Sequence, residues 1–131
     1  MITPLMLSLD GRDWTLYHLP PGEWRERRIW QAEAPGGAAS LPAPVPGHVQ
    51  SALRALGELP DPYLGRNGEQ WSWTGRQDWV YEKRFAGPPA ASGLRFHLRF
   101  EAIDGHAHVY LNGERVGEHH ARFLPAEWEV T

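Results

Sequence analysis

A strict alternation of apolar and polar residues from Leu94 to Glu101 constrains the fold of this chain more than any other feature. Leucine or phenylalanine occupies every second position, and arginine, histidine or glutamate follows each of them. Because successive side chains of a strand point to opposite faces, the pattern predicts a half-buried antiparallel strand. Its inward positions are Leu94, Phe96, Leu98 and Phe100.

Other segments predict further strands joined by turns. Alternating apolar residues from Leu5 to Leu9, followed by Asp10-Gly11, predict an opening hairpin whose second strand is Trp14–Leu19. Asn112-Gly113 is the preferred pair for a type I′ turn, in which both central residues need positive φ. The segments flanking that turn, and two additional strands, are His106–Leu111, Glu114–Val116, Trp79–Phe85 and Glu127–Val130.

Only one clear helix is predicted, near 48–57, where four apolar residues share one helical face and Gly57 can cap the C-terminus. These residues are Val49, Ala52, Leu53 and Leu56. Prolines between Pro20 and Pro46 predict extended backbone without regular elements, apart from a short element within Trp24–Ala34. Strands joined by turns, with no β-α-β rhythm, predict an all-β antiparallel sandwich of the jelly-roll type.

Two stretches carry a resemblance to a known family. Val45–Phe85 contains, in order, a Pro-Gly turn, the short helix, a Pro-Asp-Pro-Tyr and Gly-Arg-Asn loop, a tryptophan pair and Asp-Trp-Val-Tyr. Val109–Pro125 follows with Val-Tyr-Leu-Asn-Gly, Val-Gly-Glu-His-His and Phe-Leu-Pro. This succession resembles the N-terminal galactose-binding-like sandwich of glycoside hydrolase family 2 enzymes, and most closely that of the β-mannosidases.

The resemblance implies that residues 1–131 are a partial N-terminal domain, with the sheet truncated at its C-terminal end and the immunoglobulin-like and barrel domains absent. It further implies a parent enzyme that removes terminal β-D-mannose with retention, using two glutamates on the barrel. A chain of 131 residues is too short for a barrel of about 250 residues. We therefore expect no catalytic residue in this chain, and no activity from it alone.

By the same resemblance, a loop containing Asn67 reaches the rim of the sugar pocket. An amide donates and accepts hydrogen bonds, so it can discriminate between sugar hydroxyls; alternatively, Asn67-Gly68 is simply a turn. Trp71 and Trp73 share a face if their segment is extended, either to stack on sugar or to pack at a domain interface. Tyr63 has the same two alternatives. The substrate-binding candidates are thus Asn67, Trp71, Trp73 and Tyr63.

Composition excludes several other classes of function. The net charge of -3 offers no basic surface for nucleic acid, and the chain contains no cysteine for disulfides or thiolate metal sites. No apolar run approaches the ~20 residues of a membrane span, and the N-terminus lacks the features of a secretion signal, so we expect a cytoplasmic protein that does not enter a membrane. His106, His108, His119 and His120 match no metal-binding motif, so we expect no metal and no cofactor.

The expected partners are a β-mannoside glycan in the full-length enzyme, the barrel domain of the same polypeptide, and a second copy of the chain through an exposed sheet edge. Two rival functions remain open. One is a stand-alone carbohydrate-binding module that uses its tryptophans as a stacking platform. The other is a structural or oligomerisation domain of another family 2 glycosidase, a β-galactosidase or a β-glucuronidase.

Overall fold

The computed structural model describes residues 6–31, 40–55, 67–87, 93–103, 105–120 and 124–131. Its elements are mostly strands in antiparallel pairs, which confirms the predicted all-β class. The strands are β1 (Gly11–Leu19), β2 (Leu41–Val45), β3 (Asp78–Glu82), β4 (His97–Phe100), β5 (Ala107–Leu111), β6 (Glu114–His119) and β7 (Ala126–Glu129). The helices are α1 (Glu23–Glu26) and α2 (Val49–Ala55), and the 3-10 segments are Ile29–Gln31 and Asn67–Arg76.

These elements form two compact units, one from residues 1–27 and 36–86 and the other from residues 28–35 and 87–131. No helix in the described ranges is long and apolar enough to cross a bilayer. In the first unit, β1 is the central strand of a sheet with the order β2-β1-β3. Leu16 on β1 is opposite Leu41 on one side and Tyr81 on the other, and its side chain is fully buried.

The core of the first unit forms around Leu16, Ala43 and Ala52, with half-buried apolar side chains packed against it. Trp79 and Tyr81 are both among the latter, so they share one face of β3. The strand predicted over Trp79–Phe85 is shorter than expected, because β3 ends at Glu82 and the Phe85 side chain is 40% exposed.

The predicted opening hairpin is right in its second strand, Trp14–Leu19, which lies in β1, but wrong in the described part of its first strand and in its turn. Residues 6–10 form no strand, and β1 begins at Gly11, where a turn was expected. The Leu9 carbonyl instead accepts hydrogen bonds from Trp14 Nε1 at 2.7 Å and Lys83 Nζ at 2.9 Å. β1 therefore pairs with strands that lie far from it in the sequence. The local alternation of apolar and polar residues cannot reveal such pairing.

The proline-rich segment contains a strand where none was predicted. β2 has the sequence LPAPV and pairs with β1 on one side only. Alternate residues of a strand direct their backbone groups to opposite sides, so the two prolines can occupy the positions whose nitrogens face away from β1. An edge strand thus tolerates prolines that a central strand would not.

Helix α2 confirms the predicted helix over the described part of 48–57. Ala52 and Leu53 are buried, and Val49 packs against the core, while Leu56 and Gly57 lie outside the described residues. The N-terminus of α2 is capped by two reciprocal hydrogen bonds. Ser51 N donates to His48 Nδ1 at 3.1 Å, and His48 N donates to Ser51 Oγ at 3.3 Å. These bonds satisfy backbone donors that a helix terminus leaves unpaired.

The second unit contains the β4–β7 pair and the β5–β6 hairpin. Asn112 and Gly113 have φ of 50° and 80°, as the predicted type I′ turn requires. The alternation around β4 is confirmed from Phe96 to Glu101, whereas Leu94 is 40% exposed. β7 is within one residue of the predicted strand, and Val130 N extends its pairing by donating to Phe96 O at 2.7 Å.

Candidate functional site

The structure places three of the four sequence-predicted site residues on one element, Asn67–Arg76, here called the tryptophan segment. Asn67 begins it, and Trp71 and Trp73 lie inside it, whereas Tyr63 lies outside the described residues. The segment is a 3-10 helix rather than extended backbone. Residues two positions apart in a helix of about three residues per turn point in different directions, so the expectation that the two tryptophans share a face is wrong.

Hydrogen bonds around Thr74 hold the tryptophan segment in place. The Thr74 side chain is buried, and its hydroxyl donates to Trp71 O at 2.7 Å while accepting from Gln50 Nε2 of α2 at 3.4 Å. The Thr74 carbonyl accepts from Trp79 Nε1 of β3 at 2.9 Å. The segment is therefore anchored to α2 and to the sheet by polar groups that are satisfied within the unit.

Trp73 packs into an aromatic cluster with His18 of β1 and Trp79 of β3. Its ring centroid lies 5.2 Å from that of His18 and 5.7 Å from that of Trp79, in tilted arrangements, and the His18 and Trp79 rings are 5.0 Å apart. His18 Nδ1 is also 3.1 Å from Gln77 Oε1, one residue past the segment. These distances fall in the range of favourable aromatic pairs, so Trp73 has a packing role inside this unit.

Asp78, at the start of β3, links two elements of the first unit. Its Oδ2 accepts a hydrogen bond from Gly22 N at 2.9 Å. Gly22 precedes α1 with φ of 82°, a backbone conformation that glycine adopts without strain. The carboxylate therefore ties the start of α1 to the start of β3.

A surface hollow in the same unit is lined by Asp13, Thr15, Glu82 and Arg84. Asp13 Oδ1 accepts from Lys83 Nζ at 2.8 Å, and this hydrogen bond is the main reason that the pKa of Asp13 is lowered. Glu82 Oε1 lies 3.9 Å from Arg84 Nε. A carboxylate with a lowered pKa is ionised at neutral pH, so Asp13 is unsuited to act as the general acid of a glycosidase.

A group of side chains in the second unit has donor atoms close enough to hold a metal ion: His106, His108 and Glu118. The sequence predicted no metal site, although the first two alternate along a strand. Glu118 was not a candidate, because a regular two-residue hairpin would place Gly117 opposite His108. A bulge after Arg115 shifts the register by one residue, so that His108 pairs with Glu118.

Comparison with known proteins places the chain among glycosidase sequences. The family model described as "Glycosyl hydrolase 2 galactose-binding domain-like" matches residues 30–131. The "Beta-mannosidase B" of Thermothelomyces thermophilus is 36% identical over 101 residues, which are 77% of this chain and 12% of that protein. The "Beta-mannosidase" of Mus musculus is 29% identical over 103 residues, 78% of this chain and 12% of that protein.

A solved structure shows the same relationship. The crystal structure of the β-D-mannosidase from Dictyoglomus thermophilum matches with a TM-score of 0.69 and 28% sequence identity, covering 94% of this chain and 13% of that one. The predicted galactose-binding-like sandwich is thereby confirmed. The chain spans about an eighth of the length of the relatives it matches.

Proposed function

This chain belongs to the family of glycosyl hydrolase 2 galactose-binding-like domains, and from this membership we propose that it is the N-terminal sandwich domain of a β-mannosidase. In this proposal the complete protein removes terminal, non-reducing β-D-mannose with retention. The carrying observation is the similarity to the Dictyoglomus thermophilum β-D-mannosidase along 94% of the chain. The fungal and mammalian relatives, which are named β-mannosidases, support the same substrate class.

The chemistry of the proposed reaction belongs to residues outside this chain. A retaining glycosidase needs two carboxyl groups about 5 to 5.5 Å apart, one as nucleophile and one as general acid and base. We assign both to the barrel domain of the complete protein. The sandwich acts by positioning, because it supports the barrel and presents one segment to the rim of the sugar pocket.

The tryptophan segment is the part of this chain that we assign to the rim. Its interior is anchored through Thr74 and Trp73, and its first residue is Asn67. On the strength of the family resemblance, Asn67 is our first choice for a sugar-binding residue. Trp73 helps to hold the segment that contains it.

For the other two sugar-binding candidates, Trp71 and Tyr63, contact with sugar and contact with the barrel domain are both still possible roles. Trp71 lies on a different side of the tryptophan segment from Trp73, which supports a contact outside the aromatic cluster, with sugar or with the barrel domain. Tyr63 is proposed for the same surface on the strength of the family resemblance alone. The proposed partners are a β-mannoside glycan and the barrel of the same polypeptide, in the cytoplasm.

Self-association through a sheet edge is also part of the proposal, but β2 is an unfavourable place for it. Pro42 and Pro44 lack the backbone N–H groups that an added strand would need, and edge prolines are a known means of blocking such pairing. We therefore propose that any pairing with a second copy uses a strand other than β2.

Calorimetric titration of the 131-residue chain with mannobiose separates the proposal from its rivals. A domain that contributes only part of a pocket rim should show no heat of binding at millimolar sugar. Saturable binding that is lost in Trp71→Ala would establish a carbohydrate-binding module instead. If the complete protein hydrolyses a β-galactoside or a β-glucuronide in preference to a β-mannoside, the domain belongs to another kind of family 2 glycosidase.

A further inference from the structure

We propose that the open end of the β5–β6 hairpin binds a divalent transition-metal ion of the zinc type, through His106, His108 and Glu118. One donor atom from each of these residues lies within 4.8 Å of the others. The proposal is independent of the β-mannosidase assignment, because it depends only on side chains of this hairpin.

The hairpin register places the cluster on one face. His108 on β5 is paired directly with Glu118 on β6, and His106 and His120 follow at the next positions on the same side of each strand. Residues at alternate strand positions and their cross-strand partners are close enough to contact each other. Four side chains with metal-binding atoms thus lie on one face at the open end of the hairpin, two on each side of the last backbone pair, Ala107 with His119.

The donor atoms converge on the Glu118 carboxylate. Oε1 lies 2.9 Å from His106 Nε2 and is also in contact with His120 Nε2, whereas Oε2 lies 3.6 Å from His108 Nδ1. The His106 and His120 rings are stacked with centroids 3.9 Å apart, so their nitrogens approach the same oxygen from one side. Neighbouring ligands of a tetrahedral zinc ion are about 3.4 Å apart, which requires shifts of roughly 1 Å from this arrangement.

The chemistry of the donors selects the class of metal. Imidazole nitrogens with one carboxylate suit Zn²⁺, Ni²⁺ or Cu²⁺, whereas Mg²⁺ and Ca²⁺ prefer all-oxygen sites. Glu118 supplies the carboxylate and its negative charge. Arg115 Nη2 lies 3.1 Å from Glu118 Oε2 and competes for that oxygen, so the ion must displace the guanidinium or bind through Oε1.

Burial and position suggest what the ion does. The His108 side chain is 16% exposed and Glu118 is 30% exposed, so these two form the inner part of the site, while His106 and His120 are more open to solvent. A two-stranded hairpin is only marginally stable alone. An ion that links both strands at the end opposite the Asn112-Gly113 turn would hold the hairpin closed at both ends.

Titration of the tag-free, chelator-treated 131-residue chain with ZnCl₂ tests the proposal. We expect one zinc ion to bind per chain. The affinity for zinc should fall at least about tenfold in His108→Ala and in Glu118→Gln, since even the outer partners of metal ligands affect affinity by roughly 10- to 100-fold. His97→Ala is the matched control, because the His97 ring also lies near a glutamate, 3.5 Å from Glu127, but on β4. MgCl₂ should give no binding.

A second measurement needs no variant. Zinc added to the wild-type chain should shift the imidazole resonances of His106 and His108 and leave that of His97 in place. Absence of saturable zinc binding, equal affinity in all variants, or weakening by His97→Ala as large as that by His108→Ala would overturn the proposal.

Discussion

Gly117 on β6 lies so close to the indole of Trp128 on β7 that a Cβ at position 117 would be 2.6 Å from Cε2 of the ring. The optimal separation of two carbon atoms is about 3.5 to 4.0 Å, so only glycine fits here without movement. Trp128 also meets Phe100 edge-on at a centroid distance of 6.2 Å, so a movement of the indole would disturb this second contact. This contact joins the β5–β6 hairpin to the β4–β7 pair within the second unit.

Gly117→Ala should therefore lower the free energy of unfolding by about 1 to 3 kcal/mol, the usual effect of an added methyl group in a packed site. Urea unfolding followed by tryptophan fluorescence measures it. Gly87→Ala is the control, since a Cβ at position 87 meets nothing within 4 Å. If Gly117→Ala loses no more free energy of unfolding than the control does, the contact between Gly117 and Trp128 does not hold the β5–β6 hairpin against the β4–β7 pair.

Removal of the Asp78 carboxylate should destabilise the first unit. Asp78→Ala leaves Gly22 N at the start of α1 without its acceptor, which typically costs about 1 kcal/mol. Asp78→Asn keeps an oxygen that can accept the same hydrogen bond, so this variant should lose clearly less stability than Asp78→Ala. Thermal unfolding of both variants by circular dichroism distinguishes the hydrogen bond from charge, because equal losses would show that the negative charge is what matters.

Acid should remove part of the stability through Asp13. Its pKa is lowered in the folded state, chiefly by the hydrogen bond from Lys83, whose side chain is only 7% exposed. The stabilisation that Asp13 gives the folded state is therefore complete above the pKa of this residue in the unfolded chain, which is about 3.9. It disappears as pH falls through the lower pKa of the folded state.

Melting temperatures of the wild type and Asp13→Asn between pH 7 and pH 2 test this linkage. The wild type should be more stable near neutrality, and the two curves should begin to approach each other below about pH 4 and meet once pH has fallen through the lower folded pKa of Asp13. A difference in melting temperature that stays constant from pH 7 to pH 2 would mean that the hydrogen bond from Lys83 does not require the ionised form of Asp13.

Asn67→Ala in the complete protein should reduce kcat/KM for a β-mannoside by about tenfold, the loss expected for one or two hydrogen bonds to sugar. Its melting temperature should change little. Gln70→Ala, which removes an exposed amide from the same segment, is the matched control and should leave kcat/KM unchanged. Unchanged kinetics in Asn67→Ala would remove this residue from the proposed sugar pocket.

Features set by neighbouring residues were predicted well from the sequence. The type I′ turn depends on positive φ at Asn112 and Gly113, and the face of α2 depends on a spacing within eight residues, so both are visible locally. The alternation around β4 likewise marks a strand with one partly buried face. These patterns were enough for the all-β class, and the ordered motifs were enough for the family.

Features that depend on distant partners were missed. Nothing near Leu9 shows that its carbonyl will accept from Lys83, 74 residues away, and nothing in LPAPV shows that β1 will pair with it. The bulge after Arg115 is a third case, because one extra residue moves Glu118 to the histidine face of the hairpin. The shared face of the two tryptophans was conditional on extended backbone, whereas bonds through Thr74 stabilise a 3-10 helix.

Hydrolysis of 4-nitrophenyl β-D-mannopyranoside by the complete polypeptide and by the 131-residue chain, measured side by side, tests the central claim most directly. We predict that the complete polypeptide releases mannose, faster than it releases galactose or glucuronic acid from the corresponding β-glycosides, and that the chain alone releases none. Cleavage of the mannoside by the isolated chain, or none by the complete polypeptide, would contradict the assignment of this domain to a β-mannosidase whose catalytic carboxylates lie outside it.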